Sequence, residues 1–182
     1  AGLAEACDGV YAGQASGAAS TAAVALSGAA PSFALTVDTR QLTVGKHYRV
    51  CLRLDRGGSA SEQAFLDTGQ LVYVNGVTGS LYTAVAQVAS ASLSLTCIAG
   101  CSTSSLVYLA LTGCDGTGTG GTRDPVPGVS TAPAALSQGG SATTFSTILD
   151  TSDLQTSVYR ICADLDGTGV ALSFGDTLVT VQ

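Results

Sequence analysis

One stretch of this chain occurs twice. Tyr48-Arg49-Val50-Cys51-Leu52-Arg53-Leu54-Asp55 returns as Tyr159-Arg160-Ile161-Cys162-Ala163-Asp164-Leu165-Asp166. Upstream, Phe33-Ala34-Leu35-Thr36-Val37-Asp38-Thr39 returns as Phe145-Ser146-Thr147-Ile148-Leu149-Asp150-Thr151. Ala25-Leu26-Ser27 returns as Ala135-Leu136-Ser137, and Cys7-Asp8-Gly9 as Cys114-Asp115-Gly116. Downstream, Phe65-Leu66-Asp67-Thr68 and Val72-Tyr73-Val74 match Phe174-Gly175-Asp176-Thr177 and Val179-Thr180-Val181. The landmarks keep their order, which is the signature of one structural unit used more than once. The expectation is two related modules, 1–78 and 105–182, joined by connecting strands in 79–104 that have no counterpart. Modules of this size bury a limited core, so a covalent staple or a neighbour is expected to help them.

Within each module the apolar residues alternate. Tyr48, Val50, Leu52 and Leu54 interleave with His47, Arg49, Cys51 and Arg53, and Tyr159, Ile161, Ala163 and Leu165 repeat the stripe. Period-two alternation bounded by Gly, Asp and Ser predicts half-buried antiparallel strands. Gly57-Gly58, Asn75-Gly76, Gly139-Gly140 and Asp166-Gly167 mark turns. The Ala-rich stretch 15–30 has a helix-like composition, but its match at 119–135 contains Pro125, Pro127 and Pro133, which a helix interior excludes. Short strands with frequent turns indicate a β-sandwich. The chain thus resembles tandem immunoglobulin-like β-sandwich modules of secreted surface or filament proteins, an all-β fold. It departs from the immunoglobulin pattern in having no Trp, and its strand cysteines face away from the Tyr/Val/Leu stripe.

The six cysteines, Cys7, Cys51, Cys97, Cys101, Cys114 and Cys162, allow fifteen pairings. The repeat selects Cys7–Cys51 and Cys114–Cys162 as equivalent bridges, which leaves Cys97 and Cys101 to close a small loop. An even set in a chain with one lysine and abundant Ser and Thr favours an oxidising compartment, hence a secreted or cell-surface protein. The chain begins at Ala1, which fits a processed product or a piece of a longer protein.

Ala, Gly, Ser and Thr make up half of the chain, while charged residues are 11% and the net charge is -6. So few charges exclude a coiled coil, and the acidic balance argues against nucleic acid as a partner. At 46% hydrophobic the chain is not a disordered tail. No uninterrupted apolar run is long enough for a membrane-spanning helix. The Ser/Thr density leaves O-linked sugar attachment open.

A catalytic set is hard to assemble. His47 is the single histidine, and it sits in a strand beside Lys46 and Tyr48 with no nucleophile elbow anywhere. One histidine and one Cys-x3-Cys pair do not make a zinc site. The expectation is no enzyme, no cofactor and no resident metal. The acidic motif with metal-like spacing is Asp164-Leu165-Asp166-Gly167, whose Asp164 and Asp166 could offer oxygens to calcium. Ordinary strand-to-turn chemistry accounts for it equally well. Leu81, Tyr82 and Val85, with the apolar run Val107, Tyr108 and Leu109, either complete the sandwiches or pair with the open sheet edge of a neighbouring copy. The expected function is a secreted structural subunit whose copies join head to tail into a filament or surface appendage. The other reading is a monomeric adhesin or carbohydrate-binding module.

Overall fold

A computed structural model describes residues 1–7, 17–54, 64–114, 124–168 and 172–182. The turn at Gly57-Gly58 and the Gly-rich run after Cys114 lie outside the described residues. The described chain is all-β, with antiparallel pairing throughout and no helix. It divides into two compact units. The first is Ala1–Thr43 with His47–Val74, and the second is Asn75–Gln182 with Val44–Lys46.

In the first unit, β1 (Gly2–Ala4), β4 (His47–Leu52) and β5 (Leu66–Tyr73) form a sheet of order β1-β4-β5. β2 (Ser27–Ala29) and β3 (Ser32–Ala34) form a separate two-stranded sheet. The stripe expected on β4 is present. Tyr48 is fully buried with Leu3 and Leu42, and Leu35, Val37, Val50 and Val74 pack against them. Cys51 points to the other face, where it is buried with Ala4 and Phe65. Each strand face thus holds a small cluster, as alternation requires.

The second unit is larger. β6 (Val77–Ser80), β7 (Ala91–Cys97), β10 (Ser137–Gln138) and β11 (Thr144–Leu149) form a sheet of order β10-β11-β7-β6. β8 (Leu106–Ala110), β9 (Ala134–Ala135), β12 (Tyr159–Asp164) and β13 (Gly175–Val181) form a second, of order β13-β12-β8-β9. Leu93, Leu95 and Cys97 of β7, Phe145 and Leu149 of β11, Val107 and Leu109 of β8, and Tyr159, Ile161 and Ala163 of β12 contribute to one core. Both four-stranded sheets therefore turn their apolar faces into the same interior.

Of the strands around 79–104, β6 and β7 belong to the second unit, and the division between the units falls after Val74. β7 pairs with β11 from Ala91↔Leu149 to Thr96↔Thr144, so it is integral to that sheet. Residues 81–88, which carry the assembly candidates Leu81, Tyr82 and Val85, form no strand of their own. Their backbone meets the last residue instead, with Gln182 N–H donating to Thr83 O and Val85 N–H donating to Gln182 O.

The two units make matching contacts at the positions that match in sequence. Leu3 and Thr21 exchange backbone and side-chain bonds, as Leu109 and Thr131 do. β2 pairs with β3 as Ser27↔Ala34 and Gly28↔Phe33, the register that β10 and β11 adopt as Ser137↔Ser146 and Gln138↔Phe145. A register shift falls between Arg49 and Cys51 on β4 and between Arg160 and Cys162 on β12. The disulfides Cys7–Cys51 and Cys114–Cys162 both have Cα separations of 5.5 Å, and Cys97–Cys101 closes the small loop. This is the pairing read from the repeat.

Candidate functional site

Tyr-Arg occurs in both repeated stretches, as Tyr48-Arg49 and Tyr159-Arg160. Tyr48 buries its ring and uses its hydroxyl to accept from Thr43 N–H at 2.8 Å and to donate to Ala18 O at 2.7 Å. Tyr159 accepts from Gln155 N–H at 2.9 Å and donates to Gly128 O at 3.0 Å. A buried phenol must place its hydroxyl, and here each one ties a loop to a central strand. Arg49 pairs with Asp67, and Arg160 with Asp176, across the exposed faces of their sheets. Asp67 also accepts from Gly69 N–H. That bond first, and Arg49 second, hold its carboxyl below the usual range. These groups serve one another, and exposed pairs of this kind add little to stability.

His47 is half-buried, with its ring 4.9 Å from that of Tyr73, and burial lowers its pKa. It belongs to the packing of β4 on β5.

Asp164 and Asp166 do come together. Asp164 is fully buried at the end of β12, on the face that carries Cys162, beside a cluster of Tyr108, Ala110, Cys162 and Phe174. Neither of its carboxyl oxygens has a hydrogen-bond partner among the described residues. Burial first, and the neighbouring Asp166 carboxyl second, push its pKa up to about 7. Asp166 accepts from Leu172 N–H at 3.2 Å. No group of three or more metal-capable side chains occurs among the described residues.

The assembly candidates separate. Leu81 and Tyr82 are exposed, and Val85 packs partly against the core of the second unit. Val107, Tyr108 and Leu109 are buried in β8, so the strand is covered on both faces and cannot offer a docking surface. A continuous apolar run is what a strand buried on both sides requires.

The structure exposes an apolar face elsewhere. In the first unit a groove of about 570 Å3 is lined by Val24, Leu26, Phe33, Leu52, Leu54 and Phe65, among others. Leu26 is 37% exposed, Phe33 57%, Leu54 53% and, on β5, Val72 38%. The counterparts of Leu26, Phe33 and Leu54 in the second unit, Leu136, Phe145 and Leu165, are 2%, 5% and 4% exposed; Val181, which pairs with Tyr159 as Val72 pairs with Tyr48, is 2% exposed. Comparison of the chain with protein-family models, with curated proteins and with solved structures finds no match.

Proposed function

We propose that this chain is a secreted structural subunit made of two related immunoglobulin-like β-sandwich modules, whose copies join head to tail in an extracellular filament or surface appendage. The observation that carries this reading is the contiguous apolar face left open on the first unit. Soluble proteins that act alone rarely expose such a face, and it marks an interaction surface. Two further features support it. Three disulfides suit an oxidising exterior. A surface poor in charge and rich in Ser and Thr suits close packing of copies and leaves room for attached glycans. An interface between different faces of identical subunits propagates into a filament when it does not close.

Electron microscopy and sedimentation of the purified chain test the proposal. The expected result is linear assemblies whose population grows with concentration. A chain that stays monomeric at every concentration and binds a glycan instead would replace the proposal with the adhesin reading.

A further inference from the structure

The two units differ in one respect that bears on what meets the open face. In the second unit the β10–β11 hairpin is followed in its sheet by β7 and then β6. In the first unit the β2–β3 hairpin has the same register but stands as a two-stranded sheet. Among the described residues, no strand lies beside β3 as β7 lies beside β11. The side chains left uncovered match those that share a core with Leu93, Leu95 and Cys97 in the second unit. Leu26, Phe33 and Leu54 stand at the positions of Leu136, Phe145 and Leu165, and the first three are exposed while the last three are buried. The backbone edge of β3 and the apolar groove beside it therefore call for one ligand that can satisfy both.

We propose that the first unit accepts an extended strand of another polypeptide, added beside β3 and carrying apolar side chains at alternate positions, as β7 carries Leu93, Leu95 and Cys97. The strand's backbone would extend the β2–β3 sheet, and its alternate side chains would enter the groove against Leu26, Phe33 and Leu54. Strand addition combines main-chain bonds for affinity with pockets for every second side chain. A compact ligand or a flat lipid surface would cover the side chains and leave the strand edge unpaired. This inference deepens the assembly reading by naming the acceptor side and the chemistry of what it accepts.

A fluorescent synthetic peptide of residues 90–97, with Cys97→Val, provides the probe. It is titrated into the full chain at concentrations too low for assembly. Saturable binding with a gain of β-structure is expected, weakened at least about tenfold by Leu54→Asp or Phe33→Asp in the protein and by Leu93→Asp with Leu95→Asp in the peptide. Leu54 and Phe33 are exposed, so the protein variants should keep their fold, which circular dichroism checks. The proposal is overturned if the folded chain does not bind the peptide at millimolar concentration, or if the protein variants bind it as tightly as the parent. Detergent micelles that protect the groove where the peptide does not would overturn it too. Peptide binding by a chain that never forms filaments would keep this inference and remove the filament; filaments without peptide binding would do the reverse.

Discussion

At the scale of single residues, matched positions show what each unit tolerates. Opposite the register shifts, β5 and β13 each place a residue in the left-handed region: Gly69 at φ 77° and Leu178 at φ 63°. Each donates its N–H to the preceding aspartate at 2.8 Å, Asp67 or Asp176. Glycine adopts this conformation freely, whereas a leucine pays about 1–2 kcal/mol. Leu178 is exposed and loses little contact when truncated. Leu178→Gly should stabilise the second unit by about 1 kcal/mol, measured by urea unfolding. Asp164 provides a second test. Its carboxyl binds a proton more tightly folded than unfolded, with a pKa near 7 against an ordinary 3.8. The stability it contributes is complete below about pH 4 and is lost as pH rises to about 7. Asp164→Asn removes that loss, so it should raise stability by roughly 2 kcal/mol at about pH 8 and change little at about pH 4. Equal effects at both pH values would count against the assigned protonation.

At the scale of elements, β7 decides whether a unit is closed. Leu95 is fully buried in the shared core of the second unit. Leu95→Ala should cost about 2–5 kcal/mol through the lost side chain and the cavity it leaves. Leu54→Ala in the first unit should cost under about 1 kcal/mol, because that side chain already faces solvent. Denaturant titration of the two variants distinguishes them. The sequence made β4 and β12 legible, since Tyr, Val, Ile and Leu alternate there with charged residues and Cys. The disulfide pairing was legible as well, because matched landmarks reduced fifteen possibilities to one. The role of β6 and β7 was not. Repeat matching sees only what occurs twice, and residues 77–97 fall between the matched landmarks. The burial of Val107, Tyr108 and Leu109 was missed for a different reason. A continuous apolar run reads alike whether it seeks a neighbour or sits between two clusters of its own unit. Asp164 shares the face of Cys162 by alternation, but alternation does not reveal that this face carries its own apolar cluster.

At the scale of the whole molecule, the two units differ in what holds them. Fifteen buried residues form the main core of the second unit. The first has two clusters of three among the described residues. Local stability follows buried apolar contact, so the units should open separately. Calorimetry is expected to show two transitions, the lower from the first unit, and amides of β4 should exchange with solvent faster than those of β12. A single transition with uniform exchange would mean that the units unfold as one. Bridges that close long loops stabilise by about 2–4 kcal/mol, and the first unit depends on Cys7–Cys51 more heavily because its apolar share is smaller.

Those same bridges limit how far the molecule can stretch. Cys7–Cys51 spans 44 residues and Cys114–Cys162 spans 48, which together are half of the 182-residue chain. Tension applied at the ends bypasses everything inside a closed loop, so even with both units pulled apart about half the contour stays locked. At roughly 3.5 Å per extended residue, reduction should release about 30 nm of additional length in single-molecule pulling. The covalent framework thus acts as a built-in stop against overextension.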